Sequence, residues 1–214
     1  MAIQIKGILS PGGISGKIGN LVYYTWRGKP CVRTIPRKRF KKVSRAQIIH
    51  RKRFSLVTQT LRVFMPVLNL GFRDPRDRTT PLNRAVSYAL KSAVKGQYPN
   101  FGIDYANMLF SRGRLWPACN PVVENMAGEG LRFTWEYRSR GCNQGDDTAI
   151  LIAVCEDPLP CFFMATNAVK ASGIGFLHTP GMAGKKMHTY IGFIDAKEKH
   201  AADSVYTGEL MITP

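Results

Sequence analysis

The sequence predicts an α+β protein in two parts: a basic β-hairpin with two helices over residues 1–100, then an all-β antiparallel sandwich over residues 101–214. Three observations carry that expectation. Hydrophobic content of 44% against 21% charged residues suits a chain that folds around a core. The formal net charge of +17 is unevenly placed, with +19 in residues 1–100, −2 in residues 101–214, and no acidic residue before Asp74. The hydrophobic period changes near the same point, from helical spacing to short alternating runs separated by Gly, Pro, Asn and Asp.

Taken in order, residues 9–20 are Gly-rich and offer turn chemistry. Leu21, Tyr23 and Thr25 then alternate with Val22, Tyr24 and Trp26, and Arg27-Gly28-Lys29 supplies a turn before Cys31 to Ile35, which reads as a β-hairpin. Bulky side chains on both of its faces lead us to expect packing on each side. Pro36 to Arg45 is too charged to bury and is expected as an extended arm. Ser44 and Gln47 fit a capping box, so a helix starts here, with Ala46, Ile49, Leu56, Val57, Thr60 and Phe64 on one face and Pro66 as its end. Arg53 falls inside that apolar stripe and is expected to lay its stem on the core with its head in water.

A polar loop follows, in which Asp74 and Asp77 can pair with Arg73, Arg76 or Arg78. Thr80-Pro81 starts a second helix, expected to reach about Lys95 and stop at Gly96. Strands are expected near 103–110, 131–138, 148–155, 161–166, 173–179, 188–195 and 204–212. Seven short strands with no interleaved helix suggest the sandwich.

Two resemblances accompany these readings. Trp135 and Tyr190 sit where immunoglobulin-like and fibronectin-III-like sandwiches place a core tryptophan and a corner tyrosine. The N-terminal run Gly16-Lys17-Ile18-Gly19-Asn20, the turn Trp26-Arg27-Gly28-Lys29 and Val32-Arg33-Thr34-Ile35-Pro36 resemble an uncharacterised family of basic bacterial proteins of about 200 residues, associated with prophage genes. That likeness implies phage-like or mobile genetic material and brings no activity with it. The KRFKKVS stretch departs from the family's expected turn before the helix.

Enzyme readings find little support. His50, His178, His188 and His200 lack metal-ligand spacing. Cys31, Cys119, Cys142, Cys155 and Cys161 are odd in number and contain no Cys-x-x-Cys pair, so reduced thiols are expected; a thiol enzyme using Cys142 or Cys155 is the weakest of the readings. Asp146-Asp147 and Glu156-Asp157 read as turn residues. The cluster Gly12 to Lys17 fails as a phosphate loop because Ile18 stands where Ser or Thr is required. We therefore expect a non-enzymatic protein with no cofactor, no metal and no membrane span.

The sharpest signal is basic. Arg33, Arg37, Lys38, Arg39, Lys41, Lys42, Arg45, Arg51, Lys52 and Arg53 place ten cations within 21 residues with no interleaved acid. Arginine forks suit phosphate oxygens and lysines add point charge, so these ten form the expected nucleic-acid-binding site, reading backbone rather than base sequence. Tyr23, Tyr24 and Trp26 among Arg27, Lys29 and Arg33 could stack single-stranded bases, although aromatic residues alternating on a strand are more often core. The expected function is a structural protein of a phage-like particle or other oligomeric assembly, made in the cytoplasm and carried into a virion or similar particle, with its basic module on DNA or RNA. The alternatives are a ribosome- or RNA-associated accessory protein, or an arm docking on an acidic protein surface.

Overall fold

The structure, a computed structural model, describes residues 15–26, 28–36, 42–74, 79–126, 130–137, 145–155, 161–197 and 200–213. It divides into two compact units, Met1–Val43 and Ser44–Pro214.

The first unit is a three-stranded antiparallel meander of β1 (Gly16–Ile18), β2 (Leu21–Trp26) and β3 (Lys29–Thr34). The Gly-rich segment expected as turn thus contributes a strand. Gly19 at φ +57 and Gly28 at φ +73 occupy the two tight connections, where a side chain would be strained. Of its described apolar residues only Val32 is buried, and Trp26 stays 57% exposed, so the expected packing on both faces is not present within this unit.

In the second unit the capping box forms as read. Ser44 Oγ accepts from the Gln47 amide at 3.3 Å, Gln47 Oε1 accepts from the Ser44 amide at 3.2 Å, and α1 runs Arg45–Val63. Pro66 does not end a helix here. The chain breaks at Phe64, and Pro66 falls in the first turn of α2 (Met65–Gly71), where a missing amide hydrogen leaves no intrahelical bond unmade. After the Thr80 cap, α3 spans Pro81–Ser92 and stops short of Lys95. Three helices are therefore described where two were expected.

The segment beyond α3 becomes a hairpin of β4 (Val94–Gln97) and β5 (Asn100–Ile103). Gly96 serves this hairpin rather than a helix end: its φ is +86, and a Cβ there would lie 2.4 Å from the Asn100 carbonyl oxygen. The strand expected over 103–110 is reduced to the end of β5, and a 3-10 turn at Tyr105–Asn107 follows, capped by Asp104.

The remaining strands are β6 (Cys119–Met126), β7 (Gly130–Glu136), β8 (Thr148–Cys155), β9 (Cys161–Val169), β10 (Ile174–His178), β11 (Lys186–Ile194) and β12 (Val205–Met211). They make two antiparallel sheets, ordered β10-β7-β6 and β12-β11-β8-β9. Val123, Leu131, Phe133, Trp135, Leu151, Ala153, Leu177, Ile191 and Phe193 fill the space between them, which gives a sandwich of two unequal sheets.

The four-stranded sheet is covered on its other face as well. Ile150, Ile152, Val154, Tyr190 and Ile194 share a second core with Val57, Leu61, Phe64, Leu68, Val86 and Ala89 of the helices. Phe64 meets the Phe110 ring edge-on at 5.0 Å, and Phe110 meets Tyr190 at 4.7 Å. A strand buried on both sides needs apolar residues at successive positions, which is why β8 reads TAILIAVC with no polar alternation. Because helices and strands share this core, residue 100 lies inside one compact unit and not at a boundary. Trp135 occupies the sandwich core as its resemblance implied, whereas Tyr190 is no corner residue: it lies mid-strand, faces the helices, and donates to the Tyr105 carbonyl at 2.7 Å.

Candidate nucleic-acid interface

Register assigns the faces of the first unit's sheet, because directly opposed residues of antiparallel strands point the same way. Lys17, Val22 and Arg33 lie opposite one another, as do Tyr24 with Cys31 and Trp26 with Lys29. One face therefore carries Lys17, Lys29 and Arg33 among Val22, Tyr24 and Trp26. The other carries Ile18, Leu21, Tyr23 and Val32. The Arg33 guanidinium carbon sits 5.6 Å from the Tyr24 ring centroid, a cation–π contact that holds the planar fork against an aromatic plane. Lys17, Lys29, Arg33 and Trp26 are all exposed. Sequence reasoning treated these aromatics as core; two-residue alternation put the cations on the same side as Tyr24 and Trp26 and left that side open.

The ten expected cations fare unequally. Arg33 is on this face, and Lys42 is exposed ahead of α1. Arg37, Lys38, Arg39 and Lys41 lie outside the described residues. Arg45, Arg51 and Lys52 are exposed on α1, but at about 100° per residue they do not form one stripe. Arg45 and Lys52, seven apart, share a side; Arg51 shares another with Arg62, a cation the sequence reading passed over. No acid occupies the first turn of α1, so its positive dipole end is reinforced by Arg45 rather than offset. Lys52 Nζ rests 5.1 Å from the Tyr98 ring centroid.

Arg53 corrects the expectation most clearly. Its guanidinium donates to the Leu90 carbonyl of α3 at 3.0 Å and lies 5.9 Å from the Phe101 ring centroid, so it braces two helices and the β4–β5 hairpin instead of facing solvent. Arg53 is part of the fold.

Two polar clusters lie elsewhere in the second unit. At one end of the sandwich, Lys170 Nζ sits 3.4 Å from Asp147 Oδ2, donates to the Trp116 carbonyl at 2.8 Å and lies 4.6 Å from the Phe193 ring centroid. Both charged residues are almost wholly buried, at 3% and 2% exposure. Burial pushes the Asp147 carboxyl above its ordinary range, with Lys170 pulling it back, and pushes the Lys170 ammonium below its own. Asp147 was read as a turn residue.

The second cluster lines a cleft of about 610 Å³. His188 stacks on Tyr105 at 4.7 Å between centroids, its Nδ1 is 3.0 Å from the Tyr206 hydroxyl, and Glu209 pairs with Lys186 beside it. Burial, and then Asp104, push the Tyr206 hydroxyl up, so it stays protonated near neutral pH. The His188–Tyr206 contact and the Lys186–Glu209 pair join β11 to β12, whose register shifts between Thr189 and Tyr190. Among the described residues, no group of three or more His, Cys, Asp or Glu is placed to hold a metal ion. No helix among them is long and apolar enough to cross a membrane.

With this geometry in hand, comparison with known proteins gives one decisive result. A family model described as a family of unknown function, DUF6266, matches residues 13–208. The chain belongs to that family. No curated protein matches it. Among solved structures, the chain is similar to the fn3 domain of human collagen alpha-1(XX) chain, at 13% identity and a TM-score of 0.36, over 46% of this chain and 86% of that one. A likeness of that size adds nothing to the functional reading of this DUF6266 member.

Proposed function

We propose that this protein is a non-enzymatic structural component of a macromolecular assembly, a phage-like particle being the form we favour, and that its basic N-terminal segment holds nucleic acid by the phosphate backbone. The observation that supports this best is the sheet face carrying Lys17, Lys29 and Arg33 between Tyr24 and Trp26, in a stretch with no acid before Asp74. Cations alternating with an exposed Trp26 ring and a half-buried Tyr24 ring can track phosphates while bases stack, an arrangement that tolerates any sequence. The aromatic face favours a single strand, whose bases are free to stack, over a duplex, whose bases are not.

Isolation of the protein from its native source, followed by nuclease treatment and sedimentation, tests the reading. Co-sedimentation in a fast, multi-copy species that nuclease loosens or releases is expected. Migration with ribosomes would favour an accessory factor instead, and a slow, nucleic-acid-free monomer would contradict both.

A further inference from the structure

A second basic site lies outside the N-terminal run of cations, where α3 meets the chain around Arg112. The residues of α3 at Asn83, Arg84, Ser87, Tyr88 and Lys91 share one helical face and line a cleft of about 470 Å³ whose opposite wall carries Arg112. No carboxylate lines this cleft among the described residues.

Its cations are held in place before any ligand arrives. Arg84 donates to the Phe72 carbonyl at 2.7 Å, and its other terminal nitrogen lies 3.6 Å from Asp74, which fixes the fork. The Arg112 guanidinium carbon lies 5.4 Å from the Tyr88 ring centroid. Its backbone is pinned on both sides: the Arg112 amide donates to the Gly71 carbonyl at 2.9 Å, and the Gly113 amide donates to Asp203 Oδ1 at 2.9 Å. Gly113 admits no side chain, since a Cβ would come within 2.0 Å of the Ala201 carbonyl oxygen. Lys91, two turns beyond Arg84, is exposed and closes the far end.

We propose that this cleft binds the phosphate group of a phosphomonoester. Such a group carries between one and two negative charges near neutral pH and three acceptor oxygens, which the Arg112 fork, the Lys91 ammonium and the Ser87 and Tyr88 hydroxyls can meet, with Arg84, engaged by the Phe72 carbonyl and Asp74, adding positive charge to the wall. A phosphodiester has one charge and two free oxygens, a poorer match to so many donors. The volume falls within the range of small-molecule sites, about 300–1,000 Å³, and accommodates a nucleotide-sized ester. Every residue involved belongs to Ser44–Pro214, so this proposal goes beyond the N-terminal reading and does not depend on it.

Calorimetric titration of the full chain with inorganic phosphate, and then with a nucleoside monophosphate at constant ionic strength, tests it. One saturable site per chain is expected. Lys91→Gln should weaken binding about tenfold and Lys91→Gln with Arg112→Gln about a hundredfold, one charge-assisted contact being lost at each position. A control changing Lys29 and Arg33 to Ser should leave these affinities unaltered, which separates this site from the N-terminal one. Circular dichroism checks folding, and should the double variant unfold, the exposed Lys91→Gln change alone decides. No saturable binding, an unchanged affinity in the variants, or equal competition by a short oligonucleotide without terminal phosphates would each overturn the proposal.

Discussion

Replacing Lys170 with Met keeps an unbranched apolar stem, one atom shorter, and removes the ammonium with its charge and its donors, which breaks the buried pair from one side. In the parent protein the ammonium serves Asp147 at 3.4 Å and the Trp116 carbonyl at 2.8 Å, all at the buried end of the sandwich. The variant leaves a carboxylate of 2% exposure without that counter-charge. Breaking one side of a buried pair costs about 3–5 kcal/mol. With a urea dependence of roughly 2 kcal/mol per molar, the unfolding midpoint should fall by about 2 M. Adding Asp147→Leu should recover most of that loss, since a buried pair replaced by apolar groups is often neutral. The loss also depends on pH. Burial already raises the Asp147 value in the folded state, and without Lys170 it rises further, so the folded variant binds that proton more tightly than the unfolded chain does. The stability this confers is gained as pH falls through the raised value and lost as pH rises, so the deficit against the parent should shrink between about pH 8 and about pH 5. Urea titrations at both pH values, followed by circular dichroism, make the measurement. A deficit under about 1 kcal/mol at the higher pH, or one that does not change with pH, refutes the reasoning.

Further outcomes follow from other residues. Trp26→Ala should weaken binding of a single-stranded oligonucleotide roughly fivefold to a hundredfold by fluorescence anisotropy, the loss of about one stacked base, and leave urea unfolding of the second unit unchanged. Gly71→Ala should destabilise that unit by about 1–3 kcal/mol in the same urea assay, because a Cβ there would lie 2.2 Å from the Phe110 carbonyl oxygen, a backbone atom with little room to shift. In mass-spectrometric alkylation at neutral pH, exposed Cys119 should be labelled well before Cys161, whose thiol burial pushes up, and Cys155, at 1% exposure, only on unfolding. Loss of function that follows labelling of Cys155 in the folded protein would reopen the thiol reading; Cys142, the other thiol of that reading, lies outside the described residues.

How much of this was legible in the sequence depended on how local the cause was. The α1 start was readable because Ser44 and Gln47 cap each other within four residues, and β8 because its apolar run has one length and one composition. What covers β8 on its second face was not, because the helix residues that do so, such as Leu61 and Phe64, are some ninety positions away along the chain. β6 went unread because Pro121 and Asn120 spoil its alternation; it is tolerated at the edge of the three-stranded sheet, where a missing ladder hydrogen bond leaves no partner strand unpaired. The charge split pointed to the N-terminal cations but hid Arg112, whose neighbours in space include Arg84 and Lys91 while its neighbours in sequence sit in the acidic part. Arg53 shows the converse: a cation inside a basic run whose guanidinium is spent on Leu90.

The central claim, contact between the N-terminal cations and phosphate, is tested most directly by the salt dependence of oligonucleotide affinity in the parent and in a variant changing Lys17, Lys29, Arg33, Arg37, Lys38, Arg39, Lys41 and Lys42 to Ser. With about seven phosphates of a single strand engaged, parent affinity should drop about a thousandfold between roughly 50 and 200 mM salt, and the variant should lose most of that slope while the second unit stays folded. An affinity absent at low salt, or a slope identical in parent and variant, would contradict it.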